Sequence, residues 1–206
     1  MRRPVYSNKM KADSKANTRA ALLKSGRRII VEKGYNHTGI QEVLQDVGVP
    51  KGSFYHFFSS KEDFGLEIIN YDARLHEQMV EQYLGDTTLS PLNRIRQYFE
   101  DKLKEFQSLK YREGCLFGNL SQEMADQNER FRTRLQEVLS QWRDRFAQCL
   151  EEAQAAGEIS AHWDAHELAE YCLNSWEGAL LQMQVTKSEK PLQAFMKVTF
   201  GTVLKP

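Results

Sequence analysis

The stretch TGIQEVLQDVGVPKGSFYHFFSSKEDF, residues 38–64, predicts two short helical segments and a turn between them. The first segment, about residues 38–46, opens with a threonine and has a glutamine three residues later, which is the spacing of a capping box. Gly48 can adopt the left-handed backbone of a tight turn, and Pro50 suits the first turn of a helix, here about residues 50–57. Two short helices joined in this way predict a helix-turn-helix unit.

The second of these helices is predicted to have two different faces. Phe54, Phe57 and Phe58 have the spacing i, i+3 and i+4, so we expect them to pack inward. The other face carries lysine, serine, tyrosine and histidine, which can contact phosphates or base edges in the major groove of DNA. A glycine allows close approach of the backbone, and a threonine at a helix start can meet a phosphate. The predicted DNA-binding residues are Thr38, Lys51, Gly52, Ser53, Tyr55, His56 and Lys61.

The distribution of charge supports this interpretation, although the net charge of the whole chain is zero. Residues 1–61 carry 12 lysine and arginine residues against 4 aspartate and glutamate residues, whereas residues 62–206 carry 16 against 24. A basic first part on an acidic remainder indicates that the first part meets a polyanion. Nucleic acid is favoured over a membrane surface, because the basic part has no long amphipathic helix with a clean apolar face.

The rest of the chain predicts an all-α fold, with no strand alternation beyond a few residues. Helical patterns or capping signals cover about residues 17–33, 59–83, 90–109, 119–127, 127–156 and 164–185, and a last helix opens at residue 191. We expect a flexible basic arm at 1–15, a helix-turn-helix domain at 16–62 that extends into a helix to about 83, and a second helical domain at 63–206. No apolar run approaches about 18 residues and no signal peptide precedes the first helix, so we expect a cytoplasmic protein without a membrane partner.

The segment GYNHTGIQEVLQDVGVPKGSFYHFFSSKEDF resembles the DNA-binding domain of the TetR family of repressors. The family pattern is nearly complete over residues 17–70. It departs at Gln45–Asp46–Val47, where alanine is common, and at Phe64–Gly65–Leu66, where two leucines are usual. The resemblance implies a homodimeric repressor that binds a palindromic double-stranded operator and is released by a small-molecule effector.

The resemblance also implies that the last two helices of two subunits form a four-helix bundle. Apolar and small residues recur at helical spacing there, although the same pattern would arise if both helices packed inside one monomer. The predicted dimerisation residues are Leu168, Cys172, Ser175, Ala179, Phe195 and Phe200.

The stretches YREGCLFGNLSQEMADQ and WEGALLQMQV resemble a branch of the TetR family that includes acrylate-responsive and electrophile-sensing repressors. This resemblance implies a sensing role for Cys115, with Trp176 and Glu177 as candidate pocket residues. Because Cys115 precedes a helix, we expect its thiol pKa to be lowered, although buried cysteines are mostly inert. The electrophile sensor couples its cysteine to a lysine, whereas this chain has Gln184 in that register.

Two other classes of function remain as alternatives. An enzyme with Cys115 as nucleophile lacks a neighbouring histidine in the sequence and leaves the basic first part unexplained. A ligand-independent helical binding module would need no effector. We therefore predict a regulator that is not an enzyme. We predict no cofactor and no metal site, since the three cysteines and five histidines do not have metal-ligand spacing.

Overall fold

The computed structural model describes the backbone of residues 6–206 and the side chains of residues 16–206. Over this part of the chain the structure is helical and contains no strand, which confirms the all-α prediction. No helix within it is both long and apolar enough to cross a membrane. The helices are α1 Tyr6–Lys33, α2 Ile40–Val47, α3 Lys51–Phe57, α4 Lys61–Leu84, α5 Pro91–Ser108, α6 Leu116–Met124, α7 Glu129–Ala155, α8 Ala165–Thr186 and α9 Lys190–Val198, with a π-helical turn at Thr199–Val203.

The chain divides into two compact units, one ending at Asp72 and the other beginning at Ala73. The division lies inside α4, later than the predicted boundary after residue 62. The reason is that the first half of α4 packs on α1, where a Cβ atom at Gly26 would lie 2.7 Å from Cδ1 of Ile68. An ion pair between Arg27 and Asp72 also joins these two helices.

The first helix begins earlier than predicted. Residues 1–5 of the predicted flexible arm lie outside the described residues, but α1 starts at Tyr6, so the arm prediction is wrong for the backbone of 6–15. Residues 6–15 contain three lysines, one alanine and one methionine, and all three residue types favour helices. The predicted end of α1 is confirmed, because Gly34 has φ +84° and its N–H donates to the Ile30 carbonyl at 2.8 Å.

The helix-turn-helix unit is present, and one prediction about its first residues is wrong. Gly48 has φ +72° at the end of α2 and its N–H donates to the Gln45 carbonyl at 3.2 Å, as the turn requires. The predicted capping box is wrong, because α2 begins after Gly39 and receives no side-chain cap. Thr38 is buried instead, and its hydroxyl donates to the Gly34 carbonyl at 2.7 Å.

The second unit has an aromatic core formed by α5, α7, α8 and α9. Trp176 lies at its centre, with its ring 4.9 Å from that of Phe99 and 5.2 Å from that of Phe195. The start of α8 is fixed as predicted, because the Asp164 carboxylate accepts hydrogen bonds from the N–H groups of residues 166 and 167. The ring contacts of Trp176 place α8 against α5 and α9.

Candidate DNA-binding surface and effector cavity

The two faces of α3 are separated largely as predicted. Phe54 is 0% exposed and Phe58 is also buried, and the two rings lie 5.3 Å apart. Phe57 is only half-buried, so its predicted inward packing is partial. Tyr55 is 56% exposed. Of the other predicted DNA-binding residues of α3, Lys51, Gly52 and His56 are exposed and Ser53 is partly exposed.

Two further features shape the surface around α3. A Cβ atom at Gly52 would meet no atom of the chain within 4 Å, so nothing inside the protein requires glycine there. Lys61 at the start of α4 is held in place, because its Nζ donates to the Asn36 carbonyl at 3.3 Å and lies 4.6 Å from the ring centroid of Tyr35. The structure does not place the Thr38 hydroxyl on this surface, since that group is buried and donates its proton within the chain.

Asp46 connects α2 to α1. It lies in the segment Gln45–Asp46–Val47, where the sequence departs from the TetR family pattern. Its carboxylate accepts a hydrogen bond from Ser25 at 2.6 Å and forms an ion pair with Arg28 at 2.9 Å. These two partners lower the pKa of Asp46 below its usual value. The contacts fix α2 on α1, and α2 in turn orients the turn that leads into α3.

Cys115 lies at the N-cap of α6, as the sequence indicates, but the expected lowering of its thiol pKa is wrong. Burial raises the pKa of Cys115 well above its usual value, and the nearby Glu177 carboxyl raises it further. The backbone N–H groups of Gly118 and Phe117 act in the expected direction, but their effect is smaller. The thiol is therefore protonated at neutral pH.

Glu177 on α8 is the acidic partner of this cysteine. Burial raises the pKa of Glu177, and the side chain is hydrogen-bonded to the Cys115 thiol. Its Oε2 lies against the Cα of Gly118, where any larger residue would collide with it. Its Oε1 is buried and, among the described residues, has no hydrogen-bond partner. A buried polar atom in this state is costly unless a ligand satisfies it.

A cavity of about 580 Å³ lies between α6, α7 and α8, and Glu177 and Gly118 line it. Two more buried polar atoms without a partner in the described part of the chain belong to lining residues, the Ser121 hydroxyl and the Trp142 indole N–H. The volume is within the range of small-molecule sites. Of the predicted effector residues, Glu177 lines the cavity and Cys115 contacts Glu177, whereas Trp176 lies in the aromatic core.

The sequence analysis missed the contributions of Ser121 and Trp142 to this cavity. Ser121 is part of the stretch GNLSQEM that carries the resemblance to acrylate-responsive repressors, so that stretch was the available signal. Trp142 gives no local signal, since it occupies an ordinary apolar position of α7.

The predicted dimerisation residues stay a prediction, since the structure describes a single chain. All of them except Ser175 are buried within this chain, so they offer little surface to a second copy. The apolar stripe of α8 faces its own core. Exposed apolar side chains lie elsewhere on α8 and α9, at Tyr171, Leu181, Val185 and Val198.

We expect Glu177→Gln to increase the rate at which iodoacetamide labels Cys115 at pH 8. The substitution removes a negative charge that raises the cysteine pKa, so a larger fraction of the thiol is ionised. Labelling is followed by mass spectrometry of the peptide that contains Cys115. The control is the rate at Cys172, whose pKa is raised to about 12 by burial and which should stay unreactive in both proteins. Slower labelling of Cys115 in the variant would mean that Glu177 instead removes the thiol proton.

The helix-turn-helix in the first unit is the unit of proteins that read the major groove of DNA with a short helix, and the second unit holds the cavity between α6, α7 and α8. Residues 22–68 match the family model described as bacterial regulatory proteins, tetR family, and residues 91–199 match the tetracyclin repressor-like C-terminal domain. The chain belongs to the TetR family of transcriptional regulators and is not an enzyme.

Relatives of known name agree with this assignment. The chain is 40% identical to the transcriptional regulator AcuR of Cereibacter sphaeroides, over 88% of this chain and 82% of that protein. It is 31% identical to the transcriptional repressor DhaR of a Mycobacterium species, over 90% of this chain and 92% of that protein. The crystal structure of reduced NemR from Escherichia coli superimposes with a TM-score of 0.82 at 28% identity, covering 87% of this chain and 93% of that one.

Proposed function

We propose that this chain is a homodimeric repressor that binds a palindromic operator through α3 and is released by a small-molecule effector. The observation that carries the proposal is the solvent-exposed face of α3, where a lysine, a tyrosine and a histidine stand over a buried aromatic core. Two relatives, DhaR and NemR, are named as repressors.

Each residue of the surface has a distinct role in the proposed contact. Lys51 supplies a charge to a phosphate or a donor to a guanine edge, and Tyr55 and His56 hydrogen-bond to phosphates or bases. Lys61 is oriented by its contacts with Asn36 and Tyr35 and meets the backbone of the strand. Gly52 leaves room for the DNA, since no atom of the protein occupies the position of its Cβ.

We infer that the effector is a small carboxylic acid that binds in the cavity between α6, α7 and α8. An acid that enters with its proton can donate a hydrogen bond to the buried Oε1 of Glu177, whose pKa is raised by burial. The Ser121 hydroxyl supplies a hydrogen-bond donor, and Arg132 and Arg143 also line the cavity. The protonated state of Cys115 favours reversible binding over covalent capture, because the thiolate is the reactive form.

The test compares acrylate with propionate as agents that release operator DNA. Binding of a fluorescent duplex from the region upstream of the gene is followed by anisotropy, with wild type and Cys115→Ser. We expect both acids to release the DNA from both proteins, and the protein mass to be unchanged afterwards. Release by acrylate alone, with an added mass at Cys115 and loss of the effect in the serine variant, would replace the acid site with an electrophile sensor. Failure of the wild type to bind the duplex would contradict the repressor proposal itself.

The homodimer is proposed to form through the exposed faces of α8 and α9. Four apolar side chains are exposed there, at Tyr171, Leu181, Val185 and Val198, and exposed apolar patches mark association sites. Two recognition helices must lie about 34–36 Å apart to read half-sites one turn apart, which requires a fixed dimer.

We expect Val185→Glu to convert the dimer into a monomer. Val185 is 74% exposed, and a buried unpaired charge at an interface is strongly unfavourable. Analytical ultracentrifugation at micromolar protein concentration measures the change. The matched control is Leu89→Glu, which places the same charge at an exposed apolar residue before α5 and should leave the dimer intact. If Val185→Glu stays dimeric, the interface lies on another face.

A further inference from the structure

A second cavity, of about 270 Å³, lies between α4 and α7, entirely within the second unit. Apolar side chains of Ala73, Val80 and Val138 form part of its wall. It is smaller than most sites for drug-sized ligands, which are about 300–1,000 Å³, so it suits a molecule of a few heavy atoms. Trp142 lines both this cavity and the one between α6, α7 and α8.

Two residues that line this cavity carry buried hydrogen-bond donors without an acceptor among the described residues. One is the indole N–H of Trp142, whose side chain is buried with 5% of the residue exposed, and the other is Nη1 of Arg145. The two residues are three apart on α7, so their side chains are neighbours on one face of the helix. Leaving two buried donors unsatisfied is unfavourable, and one acceptor group between them would remove that cost.

The charges around the cavity indicate what kind of acceptor fits. The guanidinium of Arg145 is already balanced, because its Nε donates to Oε2 of Glu81 at 2.9 Å. Glu77 adds a further negative charge to the lining. His76 contributes no positive charge, since burial, with a smaller effect from Lys102, lowers the pKa of His76 to about 3. An anion would therefore meet no uncompensated positive charge, whereas a neutral oxygen acceptor carries no such penalty.

We propose that this cavity binds a small uncharged carbonyl compound, whose oxygen accepts hydrogen bonds from Trp142 Nε1 and Arg145 Nη1. Its aliphatic part packs on Ala73, Val80 and Val138. This site is separate from the acid site between α6, α7 and α8, where Glu177 and Ser121 supply the polar contacts. The two cavities thus differ in the charge of the ligand that they accept, although both adjoin the ring of Trp142.

The probe is propionamide, with propionate as its charged counterpart of the same size. Two-dimensional ¹H–¹⁵N spectra of the full chain resolve the indole N–H signals of the three tryptophans, which single Trp→Phe variants assign. We expect propionamide to shift the signal of Trp142 while Trp163 and Trp176 stay unchanged. Arg145→Met should weaken propionamide binding about tenfold or more, the usual effect of losing a hydrogen bond to a charged group. Arg143→Met is the matched control, because Arg143 is two residues away on α7 and lines only the other cavity.

Three results would overturn the proposal. Propionamide could leave the Trp142 signal unchanged at all concentrations, propionate could bind at this site as tightly as propionamide, or Arg143→Met could weaken binding while Arg145→Met does not. The shift of the wild-type Trp142 signal keeps the test decisive even if Arg145→Met does not fold. The measurement needs no DNA, so its failure is distinguishable from failure of the repressor proposal.

Discussion

The variant in which Lys51 and Tyr55 are both replaced by alanine is expected to lose roughly a hundredfold or more in operator affinity, since each specific contact contributes about 1–3 kcal/mol. Both side chains are exposed on the outer face of α3, and neither belongs to the core. The fold of the first unit should therefore persist while the DNA contacts are lost. Fluorescence anisotropy with the operator duplex measures the loss at one fixed salt concentration, because phosphate contacts make affinity strongly salt-dependent.

The control for this variant is Lys190→Ala, which removes the same charge from an exposed residue of the second unit. It should bind the operator within about twofold of wild type, as expected for a surface change away from the contact. Circular dichroism and ultracentrifugation verify that the double variant is folded and dimeric. Wild-type affinity in a folded double variant would show that α3 does not read the DNA.

The second large effect is expected on stability. Phe54→Ala should destabilise the first unit by about 3–5 kcal/mol, the usual cost of removing a buried phenylalanine. Phe54 is 0% exposed, and its ring lies 5.3 Å from that of Phe58 and 5.1 Å from that of Phe64. The lost contacts join α3 to the start of α4. We therefore expect the free energy of unfolding of the first unit to fall and α3 to lose its fixed position.

Urea unfolding separates the two units in this experiment, because all three tryptophans lie in the second unit. Far-UV circular dichroism should show early loss of helix in Phe54→Ala, while the midpoint from tryptophan fluorescence stays unchanged. Tyr55→Ala, at the adjacent but exposed residue, should shift neither transition by more than about 0.5 kcal/mol. Equal unfolding curves for the two variants would contradict the assignment of Phe54 to the core.

Local signals allowed much of the fold to be predicted. Gly34 and Gly48 each end a helix with a positive φ, and Asp164 caps α8 through its side chain, as the sequence indicates. Such features depend on a few neighbouring residues and leave a recognisable pattern. The capping prediction at Thr38 was wrong because a threonine hydroxyl can also donate to a carbonyl of an earlier residue. Here it donates to the carbonyl of Gly34.

The dimerisation residues could not be chosen from helical periodicity alone. Helix α8 is apolar on more than one side, with Leu168 and Cys172 facing the core while Leu181 and Val185 are exposed. Periodicity identifies a stripe but does not say whether the partner is the same chain or another. Only the packing of α8 against α7 and α9 resolves the two faces, and that packing involves residues far apart in sequence.

The raised pKa of the Cys115 thiol could not be predicted from the neighbouring residues in the sequence either. The helix start does favour the thiolate through the N–H groups of Phe117 and Gly118, as predicted. Burial and Glu177 outweigh that effect, and Glu177 lies on α8, far along the chain. The two cavities could not be predicted from local sequence either, since the residues that line each of them come from different helices.

The most direct test of the central claim is a map of backbone amide shifts when the operator duplex is added to the labelled protein. We expect the largest changes on the outer residues of α3, from Lys51 to His56, and on Lys61. Changes confined to the second unit, or tight binding with the α3 signals unmoved, would contradict the claim that this helix reads DNA.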